Sequence, residues 1–210
     1  MKKVLGLIVL LIIGVGTAVA MSEKYPSGTW RYRVTVEIDT PEGVKSGSSV
    51  HELSVATPLV NLPDVGNPAS IKGEAVVIDL GERGVVFALM SNQSWKNGLY
   101  QAFPTKAPSS TEGIRHYMDT LKVGMTGEWK TNTPRMVTFT DMDDPKSVRL
   151  VYSKFRDQLT DNFENLFGQG TRLKLITVEI TNDPVTWKIE KYLGKLYSVG
   201  PYNFVKGKTE

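Results

Sequence analysis

The sequence predicts a single α+β domain: a predominantly antiparallel sheet of about six strands with two helices packed on it, behind an N-terminal signal or anchor segment. Three observations carry this. Trp30 to Asp39 alternates strictly, with Trp30, Tyr32, Val34, Val36 and Ile38 on one face and Arg31, Arg33, Thr35, Glu37 and Asp39 on the other, the pattern of a half-buried strand. Several β-rich runs follow, separated by short Gly- and Pro-containing turns, which favours hairpins over crossover helices. Two stretches repeat apolar residues every three or four positions, the period of an amphipathic helix.

In chain order, Lys2 and Lys3 precede an uncharged run from Val4 to Ala20 that closes on Ala18-Val19-Ala20. A basic start, an apolar stretch and small residues before a cut site make a signal peptide over 1–20, or, if uncleaved, a membrane anchor. Residues 21–28 read as a short tether, 29–200 as the domain and 201–210 as a flexible tail. The chain has no cysteine, which excludes disulfides and a lipid anchor on an N-terminal thiol. The formal charge of +3 includes Lys2 and Lys3, so the body of the protein is near neutral and nothing in it points to nucleic acid.

After the first strand, Thr40-Pro41-Glu42-Gly43 predicts a turn and Ser48 to Ala56 the returning strand. Thr57 to Ser70, with Pro58, Pro63, Gly66 and Pro68, reads as a long loop. Gly73 to Leu80 and Gly84 to Met90 predict a second hairpin. Its runs are almost continuously apolar, so both faces are expected to be covered and the pair to sit centrally. Ser91 to Pro108 is irregular and carries Trp95, Tyr100 and Phe103. Ser109 and Glu112 form a capping box ahead of Ile114, Tyr117, Met118 and Leu121, which predicts a helix over 110–123. Gly127 to Asn132 reads as a turn, Arg135 to Thr140 as a strand and Lys146 to Val151 as another. Tyr152, Phe155, Leu159, Phe163 and Phe167 predict a second helix with an aromatic face. Leu175 to Pro184 echoes the first strand, with Thr177-Val178-Glu179-Ile180 repeating Thr35-Val36-Glu37-Ile38. Val185 to Leu196 is ambiguous between helix and strand.

The phrases WRYRVTVEIDTPEGVKSGSSVHEL, PRMVTFTDMDDPKSV and GTRLKLITVEITNDPVTWKIEKYL, in that order, resemble an uncharacterised family of exported proteobacterial proteins. The resemblance covers most of the chain beyond the leader. It implies a small periplasmic or inner-membrane-tethered protein and supplies no catalytic residue.

Chemistry-bearing residues are sparse. Glu37 and Glu179 are the candidate catalytic pair, because two carboxylates held close together raise one pKa and can share acid and base roles. They converge only if the two echoing strands bring them side by side. Asp141, Asp143 and Asp144 are the candidate metal ligands, although the run lacks the glycine turn and distal glutamate of a calcium loop and suits a turn that caps its own amides. His116 falls on the polar side of its helix. His51 and Glu52, adjacent in a strand, point to opposite faces and cannot share a metal. Asn92-Gln93-Ser94 fits a glycosylation sequon without further support. No cofactor motif occurs.

These residues lead to an exported, non-enzymatic envelope protein that binds an unknown protein or envelope ligand through loops 57–70 and 91–108. A periplasmic carboxylate-dependent hydrolase and a membrane-anchored subunit of an envelope assembly are the alternatives. Contact with the membrane is expected only through residues 1–20 if they are retained.

Overall fold

A computed structural model describes residues 24–58, 68–90, 97–194 and 204–206. The leader 1–20, loop residues 59–67, Trp95 and the sequon at 92–94 lie outside them. The expected single sheet is instead two. Strands β1 (Ser27–Thr40), β2 (Gly43–Ala56), β3 (Ala69–Glu74), β6 (Thr126–Glu128), β10 (Arg172–Ile180) and β11 (Val205–Lys206) form one sheet in the order β11-β3-β2-β1-β10-β6. Strands β4 (Val76–Asp79), β5 (Val85–Ala88), β7 (Met136–Phe139), β8 (Val148–Phe155) and β9 (Gln158–Asp161) form the other, in the order β4-β5-β7-β8-β9. All pairings are antiparallel. Among the described residues the helices are short: α1 (Gly98–Ala102), α2 (Thr111–Thr120), α3 (Phe163–Phe167) and α4 (Glu190–Leu193). The domain is therefore mainly β.

The alternation in β1 decides how the sheets meet. Tyr32, Val34, Val36 and Ile38 are buried and pack with Leu53 and Val55 of β2, Ile176 and Val178 of β10, and Val76, Ile78, Val86 and Ala88 of the second sheet. Arg31, Arg33, Glu37 and Asp39 stay on the outer face and form ion pairs with Glu52, Glu179, Lys174 and Arg172 respectively. Such exposed pairs contribute little each, roughly 0–1 kcal/mol, so burial of the inner residues holds the layers together.

The apolar hairpin of β4 and β5 is covered on both faces, as its composition predicts. Val76, Ile78, Val86 and Ala88 face the first sheet. Val77, Val85, Phe87 and Leu89 face outward onto Ile189, Leu193 and Phe204, which the C-terminal segment lays across them. In strand order, however, β4 is an edge and not central. Its cover on the open side is β2, which comes close at Gly47: a Cβ there would lie 1.9 Å from the Val77 carbonyl oxygen.

Two helix expectations need correction. The first helix is α2, capped by Ser110 rather than Ser109, whose Oγ accepts from the Gly113 N–H at 3.0 Å. Ile114, Tyr117 and Leu121 are buried, whereas Met118 is 48 % exposed and sits at the margin of the apolar face. The second expected helix is mostly a hairpin. Residues 152–155 end β8, Arg156 turns the chain with φ 52°, β9 returns, and only Phe163–Phe167 are helical. Gly127, expected in a turn, lies in β6.

At the other end of the sandwich, Arg83 ties three turns together. Its Nε and Nη2 donate to both oxygens of Glu42 in the β1–β2 turn, at 2.8 and 2.6 Å, and its Nη1 donates to the Phe167 carbonyl at the end of α3. The bidentate bond holds the Glu42 carboxyl down at about 2.

Candidate functional site

The two echoing strands are neighbours, yet their glutamates are not. β1 and β10 pair antiparallel with Thr35 opposite Thr177 and Arg33 opposite Glu179, while Glu37 stands opposite Leu175. Antiparallel pairing thus sends the two carboxylates to opposite ends of the shared motif, four residues apart along the ladder, roughly 13 Å at the rise of a strand. Each meets a cation instead: Glu37 lies 2.9 Å from Lys174 Nζ, and Glu179 lies 3.7 Å from Arg33 Nε, a guanidinium that also contacts Asp183. The pair does not form the close carboxylates that shared acid and base roles require.

Two of the three aspartates of the β7–β8 turn have carboxylates engaged by the backbone. Asp141 Oδ1 accepts from the Asp143 N–H at 2.9 Å and Asp144 Oδ1 from the Lys146 N–H at 2.8 Å, while Ser147 Oγ donates to the Asp141 carbonyl. Carboxylates spent on successive amides point away from a common centre. Among the described residues no group of three or more His, Asp or Glu side chains is placed to hold a metal ion. His116 is exposed beside Tyr117 on α2.

His51 has a different surrounding, which the sequence reading did not find. It points inward from β2, edge-on to the ring of Tyr32, its direct partner on β1, with centroids 5.5 Å apart. Glu52, its neighbour, points outward to Arg31 and Lys72. The reason for His51 lies in the path of β3. This strand pairs with β2 as far as Lys72, then turns away at Gly73 (φ 144°) and continues into the second sheet as β4. The departure would leave the Glu74 carbonyl without a ladder partner in the interior, which is costly. Ser49 Oγ donates to it at 3.0 Å and His51 Nε2 at 2.8 Å. A carbonyl only accepts, so Nε2 carries the ring proton. Burial then keeps the imidazole neutral by lowering its pKa to about 4, against the partial support of that hydrogen bond.

The Glu74 side chain completes the junction. It is 4 % exposed, and its Oε2 accepts from the backbone N–H groups of Lys188 and Ile189 at 2.6 and 2.9 Å. On the gap that β3 leaves beside β2, Thr186 takes its place, accepting from the Val50 N–H and donating its own N–H to the Val50 carbonyl.

A half-open cleft of about 20 Å³ lies at this junction, bounded by Tyr32, His51, Ile71, Val76 and Ala88 on the strands and by Met90, Asn97, Gly98 and Trp129. Its lining is chiefly apolar. The Asn97 side chain caps α1 by accepting from the Tyr100 N–H. Gly98 is required there because a Cβ would fall 2.9 Å from the Trp129 ring. Of the aromatic residues in 91–108, Tyr100 is core: it is 3 % exposed and stacks on Tyr117 at 5.7 Å. Burial raises the Tyr32 and Tyr100 hydroxyls above the usual phenol range and Tyr117 to about 12, so all three stay protonated.

Chemically, the cleft offers surface for an apolar group and little for bond cleavage. Ser49 and His51 lie two apart on one strand face, and both donate to the same carbonyl rather than to each other. Their geometry lacks the hydroxyl-to-imidazole bond that activates a nucleophile. A mainly antiparallel two-sheet β domain with an apolar cleft at its strand junction is what the fold and this site define. No family model, curated protein or solved structure matches the chain. No helix among the described residues is long and apolar enough to cross a membrane.

Proposed function

We propose that the protein is an exported, non-enzymatic binding module that holds a small apolar group, such as the tip of a partner's aliphatic or aromatic side chain, in the cleft between its sheets. The observation that carries this reading is the contrast between the cleft and the rest of the chemistry. Glu37, Glu179, Asp141 and Asp144 are engaged with cations or backbone, whereas the concave surface around Ala88, Met90 and Trp129 is apolar with a few polar atoms at its walls. Recognition sites have this composition. Space for about one water keeps the guest to the end of a side chain.

The test is pressurisation of isotopically labelled protein with xenon, an apolar probe near that size, followed by methyl and tryptophan N–H resonances. Shifts are expected at Ala88, Met90 and Trp129 and are expected to vanish in Ala88→Leu, which fills the cleft. Shifts spread over the surface, or unchanged in that variant, would remove the proposal.

Export rests on Lys2, Lys3 and the apolar run to Ala20. Intact mass of the protein recovered from an expressing bacterium is expected to correspond to a chain beginning at Met21. A chain still beginning at residue 1 or 2 in the membrane fraction would instead favour the anchored alternative.

A further inference from the structure

We propose that β9 is a self-association strand that pairs antiparallel with β9 of a second copy of this chain, joining the two five-stranded sheets across a two-fold axis. An uncovered sheet edge presents backbone donors and acceptors to any other strand, and proteins normally shield such edges. β4 is covered by β2, where a Cβ on Gly47 would meet the Val77 carbonyl oxygen, and the edges of the first sheet, β6 and β11, are only three and two residues long. By contrast, β9 pairs with β8 on one side, has no strand beyond it among the described residues, and all four of its residues are exposed. Leu159, at 61 %, is the most exposed large apolar residue among those described.

The hydrogen bonds fix what this edge offers. Asn162 N–H donates to the Val151 carbonyl of β8 at 2.8 Å. Alternation along an antiparallel strand then turns the amides of Thr160 and Gln158 toward β8, and those of Leu159 and Asp161 toward open solvent. Two registers let these groups pair with a symmetry mate. Centring the axis on Leu159 sets Asp161 opposite the second copy's Asp157, a like-charge pair repeated twice. Centring it on Thr160 sets Leu159 opposite the second copy's Asp161 and brings the two Leu159 side chains onto one face as diagonal neighbours. Charge selects the second register, because like charges directly opposite are unfavourable, and the diagonal Leu159 side chains still touch in it.

The absence of cysteine makes the register directly testable. In the Thr160-centred dimer the two Thr160 residues form a non-hydrogen-bonded pair, whose Cα separation of about 4.5 Å suits a disulfide, whereas the Leu159 residues are about 7–8 Å apart. Sedimentation velocity of the wild type is expected to show a concentration-dependent monomer–dimer equilibrium. Under mild oxidation, Thr160→Cys is expected to cross-link about tenfold faster than Leu159→Cys or a control on α2, Thr120→Cys. Leu159→Pro removes only an outward N–H and is expected to leave the far-ultraviolet spectrum unchanged while abolishing the dimer; Leu159→Lys serves as a second variant if the proline disturbs folding. A wild type that stays monomeric at millimolar concentration overturns the proposal. So does cross-linking of the Thr160→Cys variant no faster than that of Thr120→Cys, and faster cross-linking of Leu159→Cys than of Thr160→Cys overturns the register.

Discussion

The Gly47→Val variant is expected to lose more than about 3 kcal/mol of stability, a large share of the roughly 5–15 kcal/mol that holds a domain folded. β2 lies against β4 at this residue, and a Cβ would stand 1.9 Å from the Val77 carbonyl oxygen and 2.8 Å from its carbon. Both neighbours are backbone, so no side chain can swing away to relieve the clash. β4 in turn is fixed by β5 and by the apolar residues on its two faces. Ser46→Val, one residue earlier and outward-facing, introduces the same side chain without the clash and serves as the control. Urea unfolding of the two variants decides the matter: equal midpoints would mean that the sheets can shift apart at this point, and that their close approach is not a requirement of the fold.

Acid is expected to destabilise the domain by about 3 kcal/mol between pH 6.5 and pH 4 through one residue, His51. The sign follows from the neutral, buried ring. Its pKa is about 4 in the folded protein against 6.5 in the unfolded chain, so between these values the unfolded state binds the additional proton. Stability is fully present above pH 6.5 and falls as the pH drops toward 4. Carboxylates act lower on the scale: Glu42, held at about 2 by Arg83, loses its contribution only as the pH falls from 4.5 toward 2. The two windows are therefore separable. His51→Gln retains an N–H donor for the Glu74 carbonyl but cannot titrate, and its stability is expected to be flat between pH 6.5 and 4. An equal slope in wild type and variant would assign the acid sensitivity elsewhere.

Local features of this fold were legible where a single strand or turn carries the information. The faces of β1 follow from its alternation, and the double cover of the β4–β5 hairpin follows from its unbroken apolar runs. Tyr152 to Phe167 misleads for an equally physical reason. A bulge where β7 meets β8 places consecutive Val151 and Tyr152 in the core, and the turn at Arg156 resets the phase, so aromatic residues recur at helical spacing without a helix. The number of sheets was not legible, because it depends on the bend at Gly73 that passes one strand from the first sheet to the second. The site was hidden by the same bend. His51 next to Glu52 is an ordinary strand dipeptide until the departure of β3 exposes a carbonyl that needs a donor. Glu37 and Glu179 show the converse: the repeated motif does mark adjacent strands, but direction along the ladder, which a repeat cannot encode, separates the carboxylates.

The pairing of β1 with β10 also sets the order of events during folding. Tyr32 finds its ladder partner in Ile180 and Asp39 in Arg172, so the central strand of the first sheet waits for the last sixth of the described chain. The β1–β2 hairpin can form early, but one long side of β1 stays open until β10 is available. Such long-range closure is slow, and a chain still emerging from a ribosome cannot complete it. The topology keeps a nascent chain from locking into its final form until its last long strand is free.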